Sequence, residues 1–369
     1  QKFGDVKIQI GERPRKVTVF LNPAAATGGA LKLFTKNAAP LLHLAGLEVN
    51  LVKTEYEGQV KKYLEVLEKK DTDAIVVAGG DGTLLEEFNK KVPIGVIPLG
   101  DANRFAKIMY GSDMEQVKFI LASTMAVVNG FSKSMDVLKI EGEDGKSTYS
   151  MLGLETGAYR DARGKVNKYW YFGPLKYRWT YLRHTLKEWP PLLKAKISYV
   201  VATEENMKPK LVKKSQETPT MNKSSWLSFL FGNRPKKSPD IYEETDPDDT
   251  GDEVIEEEVT TSELTLMSPF VQQDSHSIKA TSAGIGPSEL SRTDFIKEGW
   301  QRINRGDQKF GCEGNKSMLV KKIKIVPQVP EDSQLWYNID GENYEAMPIE
   351  VRLLRNKINV FYNHVPLPS

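Results

Sequence analysis

The residues best suited to chemistry sit in short turns rich in glycine and small side chains. Asp81 lies in Gly79-Gly80-Asp81-Gly82-Thr83, and Asn22 opens Asn22-Pro23-Ala24-Ala25-Ala26-Thr27-Gly28. Asn103 follows Gly100 in Gly100-Asp101-Ala102-Asn103-Arg104. Glycines without Cβ atoms let a ligand approach the backbone and permit positive φ. Thr83 is placed to cap a following helix, whose unpaired N–H groups and positive dipole end attract anions. A phosphate fits such surroundings. A carboxylate among them has two uses, holding a metal ion or accepting a proton, and Asp81 is the candidate for both. No Lys follows these glycines, so this is not a P-loop, and their spacing is not the dinucleotide fingerprint.

These turns need rigid elements behind them. Ile75-Val76-Val77 is a β-branched run suited to a strand buried on both faces. Val17–Leu21, Glu48–Lys53 and Ile94–Leu99 read as further strands. Helical patterns lie between them, at Leu31, Phe34, Ala38 and Leu41, at Lys61–Lys70, and from Thr83 to about Lys91. The alternation predicts a parallel, three-layer α/β domain over 17–135, after a polar arm at 1–16. In such domains ligands sit beyond the C-terminal ends of the strands, so Asn22, Asp81 and Gly100 should share one crevice.

The remainder reads as a second, mostly β domain over 136–362, with a tail at 363–369. Phe131–Ile140 alternates as a strand that carries Asp136, which spacing alone reads as a strand-end carboxylate. Tyr149–Tyr159 reads as a strand and turn, and Phe295–Trp300 and Ser317–Val326 as further alternating segments. In the last of these Ile323 and Ile325 alternate with Lys322 and Lys324, as in a half-exposed strand. Asp340-Gly341 is a hairpin turn signal before Glu342. Met347–Leu353 and Ile358–Phe361 supply final strands.

Composition narrows the function. The chain has 369 residues and a formal net charge of +2, which argues against nucleic acid as the main partner. A single cysteine, Cys312, excludes a disulfide framework or a multi-thiolate metal site. His43, His184, His276 and His364 show no metal-ligand spacing. No apolar run is long enough to span a membrane. The chain begins with Gln1 rather than Met, as expected for a form without its natural N-terminus.

Two segments point to lipid. Between Lys165 and Pro190 aromatic and basic residues interleave, through Tyr169, Trp170, Tyr171, Trp179 and Trp189. Rings at headgroup level with Lys or Arg on phosphate suit a membrane surface; an aromatic-rich core helix with a basic face is the plainer alternative. Residues 203–260 read as a flexible insertion with an acidic run from Asp240 to Glu258. It holds one apolar patch, Trp226-Leu227-Ser228-Phe229-Leu230-Phe231, flanked by Arg234, Lys236 and Lys237. That patch suits a membrane surface or a partner-binding helix.

The Gly79–Glu86 stretch resembles the signature of the diacylglycerol kinase catalytic domain family, which includes sphingosine and ceramide kinases and is more distantly similar to NAD kinases. The Asn22-Pro23 turn is similar to the family's, and Asn103, Phe105 and Ala106 match its bacterial-type motif, whereas Asp101 and Arg104 do not. Arg104 is open to pairing with Asp81, contacting a phosphate or facing solvent. The Lys168–Lys176 run and Leu186–Pro190 look closest to the acylglycerol kinase branch.

The resemblance implies an ATP-dependent kinase of monoacylglycerol and diacylglycerol, using Mg²⁺ bound partly through Asp81. It makes Asp81 and Glu342 the catalytic candidates, with the C-terminal strands returning Asp340-Gly341-Glu342 to the nucleotide site. It gives Asn22, Gly28, Gly79, Gly80, Gly82, Thr83, Gly100 and Asn103 to the nucleotide, and Asp136, Tyr169, Trp170 and Tyr171 to the lipid. It further implies a mitochondrial, membrane-associated location, at the inner membrane or intermembrane space. A non-catalytic scaffold of an inner-membrane assembly, beside a translocase, is the alternative. An NAD kinase would share the Asp81 turn but leaves the aromatic segment unexplained.

Overall fold

The computed structural model describes residues 13–25, 28–55, 59–66, 71–81, 92–100, 103–111, 114–186, 189–207, 210–213, 242–245, 252–271, 278–305, 315–329 and 334–363. Gly82, Thr83, the expected helix at 83–91 and the apolar patch at 226–231 lie outside them.

The N-terminal part is built as the alternation predicts. Strands β1 (Lys16–Leu21), β2 (Glu48–Lys53), β3 (Ala74–Gly79) and β4 (Ile94–Pro98) form a parallel array in the order β2-β1-β3-β4. Every residue of β3 and β4 is buried, which accounts for their unbroken apolar runs. Val17, Val19 and Leu21 pack with Phe34, Ala38 and Leu42 on one side of the sheet, whereas Phe20 and Ile75 meet Val60 on the other. Helices α1 (Ala30–Leu33) and α2 (Ala39–Leu44) are joined by a π turn at 34–38, and α3 (Gln59–Val66) covers the opposite face. The wider π turn spaces the buried stripe as Ala30, Phe34, Ala38 and Leu42, so Leu42 rather than the expected Leu41 is buried. Helices α4 (Arg104–Tyr110) and α5 (Gln116–Asn129) follow.

The second part is antiparallel. It contains β5 (Ser132–Gly142), β6 (Ser147–Ser150), β7 (Gly153–Gly157), α6 (Ala158–Arg163), a 3₁₀ segment (Val166–Leu175), α7 (Lys176–His184) and β8 (Leu193–Val201). After these come β9 (Lys210–Lys213), β10 (Tyr242–Thr245), β11 (Ile255–Thr261), β12 (Glu263–Met267), β13 (Thr281–Ile285) and α8 (Arg292–Arg305). The chain ends in β14 (Lys316–Gln328), β15 (Trp336–Ile339), β16 (Glu342–Glu345) and β17 (Ile349–Phe361). The long strand β17 joins the two parts. Its first half pairs with β14, it pairs with β5 along its length, and Val360 lies beside Ile94 of β4 in parallel register. One continuous sheet therefore runs β16-β15-β7-β12-β13-β14-β17-β4-β3-β1-β2.

Two segments differ from expectation. The acidic run joins the sheet from Ile255 onward, because β11 pairs along β8 with Val259 turned inward. Phe295–Trp300 is helical, not a strand. Ser291 caps α8 by accepting the Asp294 N–H at 3.1 Å, and Phe295, Gly299 and Arg302 fall on one buried helical face. The short window mimicked a two-residue period.

Phe295 is fully buried against the rings of Tyr159, Tyr181, His184 and Trp189. Phe295→Ala should lower unfolding stability by about 3–5 kcal/mol, read as a shifted urea midpoint.

Candidate active site

Asp81 stands just past the end of β3 and is buried. Its Oδ2 accepts the Arg104 N–H at 2.8 Å and its Oδ1 accepts the Phe105 N–H at 3.1 Å. Asp81 thus caps α4 from a distant point in the sequence, and the helix N-terminus orients the carboxylate. Asn103 supports the arrangement in a left-handed conformation, φ 48°. Its Oδ1 accepts the Gly100 N–H at 2.9 Å and its Nδ2 donates to the Gly100 carbonyl at 2.5 Å. The turns after β3 and β4 touch here. A Cβ on Gly100 would lie 2.6 Å from the Gly80 Cα, which is why the turn after β4 needs glycine there.

Asn22 joins the same edge of the sheet. Its N–H donates to the Ala78 carbonyl at 3.0 Å, and its Oδ1 accepts the Ala24 N–H. Gly28 has φ +87°, and a Cβ there would meet nothing within 4 Å, so the backbone faces open space. Asn22, Gly79, Gly80, Asp81, Gly100 and Asn103 therefore lie along the C-terminal ends of β1, β3 and β4, as the strand rule requires.

The opposite wall comes from far along the chain. β15 and β16 form a hairpin whose turn is Asp340-Gly341. A Cβ on Gly341 would lie 3.8 Å from Arg104 Nη2 and 4.0 Å from Asp81 Cβ. That brings Glu342, the next residue, to the same wall, where its Oε2 accepts the Tyr344 hydroxyl at 2.9 Å. Asp340 fixes the turn. Its buried carboxylate accepts the Ser150 hydroxyl at 2.6 Å and the N–H groups of Met151, Leu152 and Gly153 at 2.7–3.0 Å. Burial pushes its pKa upward, against the pull of these donors and the Arg104 charge.

A polar row runs behind the turn. Asn343, Asn338 and Glu155 are register partners across β16, β15 and β7. Asn338 Nδ2 donates to Asn343 Oδ1, which also accepts from Arg160 at 2.6 Å. Glu155 is buried between Arg163 and, at 3.6 Å, Arg104. Sequence reasoning did not single out Glu155, Arg160, Arg163, Asn338 or Asn343. The available signals were the three-residue spacing of Arg160 and Arg163 after Gly157, and the asparagines flanking Asp340-Gly341.

The other expected site residues have partners of their own. Asp136 accepts the Asn356 N–H at 2.9 Å, where β17 bulges away from β5. Tyr169, Trp170 and Tyr171 contact one another on the 3₁₀ segment. Trp170 is 76 % exposed and Leu175 62 %, and Phe172 continues the stack to Trp179 at 4.9 Å. The following helix α7 instead buries Tyr181 and His184 against Phe295 and leaves Arg178 and Arg183 exposed.

Comparison with known proteins accords with this geometry. Residues 16–140 match the diacylglycerol kinase catalytic domain model, and 151–365 match the acylglycerol kinase C-terminal model. The chain belongs to the acylglycerol kinase family. It is 38 % identical to the mitochondrial acylglycerol kinase of Homo sapiens over 98 % of this chain and 86 % of that one. The Xenopus laevis counterpart is 36 % identical over 97 % and 84 %. The crystal structure of a putative diacylglycerol kinase from Bacillus anthracis shares the fold, with TM-score 0.57, 16 % identity and coverage of 98 % and 100 %. As a family member with the kinase domain, the chain is a lipid kinase.

Asp340→Asn would turn an amide group toward N–H donors that now have a carboxylate acceptor. It should cost about 1–3 kcal/mol, read as a lower melting temperature, with Ser150→Ala milder.

Proposed function

We propose that this protein transfers the γ-phosphoryl group of ATP to a hydroxyl of monoacylglycerol or diacylglycerol, giving lysophosphatidic or phosphatidic acid. The observation that carries the reading is Asp81, held between two glycine turns and faced by the Gly341 turn. Phosphoryl transfer asks for an in-line hydroxyl, a proton acceptor and neutralised phosphate charge. Asn22, Gly28, Gly79, Gly80, Gly82, Thr83, Gly100 and Asn103 would take the nucleotide. As the acceptor oxygen bonds to phosphorus and the bond to ADP breaks, the hydroxyl proton passes to Asp81, with Glu342 the second candidate.

Among the described residues no three His, Cys, Asp or Glu side chains converge as a metal cage. A small hard cation such as Mg²⁺ would be held partly through waters, with Asp81 as a protein carboxylate. It would neutralise phosphate charge.

The lipid side is proposed along the aromatic segment, with acyl chains entering between the two parts beside Tyr169, Trp170 and Tyr171, and Asp136 on the substrate side. Trp170, Tyr171, Phe172, Leu175, Tyr177, Leu182 and Leu186 are exposed. Arg163, Lys165, Lys168, Lys176, Arg178 and Arg183 accompany them, with no acidic residue from 162 to 186. An apolar ledge edged by cations suits an anionic membrane surface. No helix among the described residues is long and apolar enough to cross a membrane. Residence at the mitochondrial inner membrane or intermembrane space, and contact there with a translocase, enter this reading through the family resemblance and the names of the relatives.

The first test is ATP- and Mg²⁺-dependent phosphorylation of both lipids in mixed micelles, parent beside Asp81→Asn. The parent should yield product and the variant ~10²–10⁴-fold less, with a stability loss of about 1 kcal/mol from the weakened α4 cap. Full activity in the folded variant removes Asp81 from the mechanism. No product from a folded, ATP-binding parent favours the scaffold role. A second test replaces Leu175 and Leu186 with Asp. Sedimentation with vesicles containing anionic lipid should fall, while turnover of a short-chain soluble substrate holds; unchanged sedimentation counts against the ledge.

A further inference from the structure

Arg104 stands where the family resemblance gives no functional residue, and the structure puts its two ends to different uses. Its backbone N–H donates to Asp81 Oδ2 at 2.8 Å. Its guanidinium turns to the opposite wall, 3.5 Å from Asn338 Oδ1 and 3.6 Å from Glu155 Oε1. Nη2 and Asp81 Cβ both lie within 4.0 Å of the point a Cβ on Gly341 would occupy. The cation and the candidate base thus flank one small patch beside the glycine turns.

Three guanidiniums gather on this wall. Arg104, Arg160 and Arg163 converge on the row Glu155-Asn338-Asn343, where Glu155 and Asp161 form ion pairs with them and Asp340 feels the Arg104 charge. Glu155 is drawn closely to Arg163, and its contact with Arg104 is the longer one. The Arg104 side chain is 12 % exposed, so its charge acts in a poorly screened setting, where a fixed cation stabilises developing phosphate charge far more than in water. Asn338 has a second task, accepting the Gly341 N–H at 3.2 Å. It therefore couples the position of the guanidinium to the turn that carries Glu342.

We propose that Arg104 is a catalytic residue for the transfer, its guanidinium contacting the phosphoryl group that moves from ATP to the lipid hydroxyl. Glu155 and Asn338 are its positioning residues. This rests on the lipid-kinase reading of the cleft. Because the contact is to the terminal phosphate, Arg104 distinguishes ATP from ADP, and a Lys in its place supplies charge without the planar fork.

The test measures ATP and ADP affinity by calorimetry with Mg²⁺ present, alongside kcat, for the parent, Arg104→Ala and Arg104→Lys. Arg104→Ala should lose ~10-fold in ATP affinity with ADP within ~2-fold, and ~10²-fold in kcat. Arg104→Lys should recover part of each, and added guanidinium ion should restore part of the Arg104→Ala rate. If Arg104→Ala does not fold, Arg104→Gln, which keeps a donor toward Asn338 and Glu155, carries the same comparison. A folded variant with the parent's ATP-to-ADP affinity ratio and kcat overturns the proposal and leaves Arg104 a structural tie between the walls. A parent that binds both nucleotides but phosphorylates no lipid sinks the lipid-kinase reading instead, and the affinity ratio still decides Arg104.

Discussion

A carboxylate buried away from water needs donors, and Asp340 finds them on one short stretch, Ser150 to Gly153. The requirement fixes far more than one side chain. It holds Asp340 at φ +47°, it ties the β15–β16 hairpin to the β6–β7 corner, and it sets Gly341 against Asp81. A residue late in the chain is thereby locked to one in the first quarter. An apolar side chain could fill the space but would leave those N–H groups without partners.

That tie works because the sheet is continuous. β17 belongs to both halves, antiparallel to β14 and β5 and parallel to β4. The two walls of the cleft are thus strands and turns of one sheet rather than separate bodies joined by a linker. A rigid frame suits phosphoryl transfer, in which the protein's work is positioning and charge stabilisation. The polar row Asn343-Asn338-Glu155 then spreads charge between guanidiniums from both halves. The aromatic ledge follows directly after α6, which carries Arg160 and Arg163, so ledge and cleft are joined through one connected element.

The Asp81 turn was legible because its chemistry is local. A β-branched run, three glycines and a carboxylate mean the same thing wherever the chain goes, and the strand rule placed Asn22 and Gly100 beside them. The period of α8 was not legible, since six residues around Phe295 fit two periods until the Ser291 cap and the burial of Arg302 choose between them. The aromatic segment left two alternatives open on composition alone. Its rings divide between exposure, at Trp170 and Tyr171, and contact with buried Phe295, at Tyr181 and Trp189, and that division depends on what else packs nearby.

The sequence by itself determined the parallel α/β half, the place of the glycine turns at its strand ends and the family, because strand burial, turn geometry and motif spacing are short-range properties. Only the tertiary structure decided which distant residues face Asp81. Cross-strand register aligned Glu155 with Asn338 and Asn343, and the buried Asp340 brought Gly341 to Arg104. It likewise decided that Arg104 gives its N–H to Asp81 and its guanidinium to the other wall. Contacts between residues so far apart in the chain follow from the packing of a whole sheet, and no local pattern encodes them.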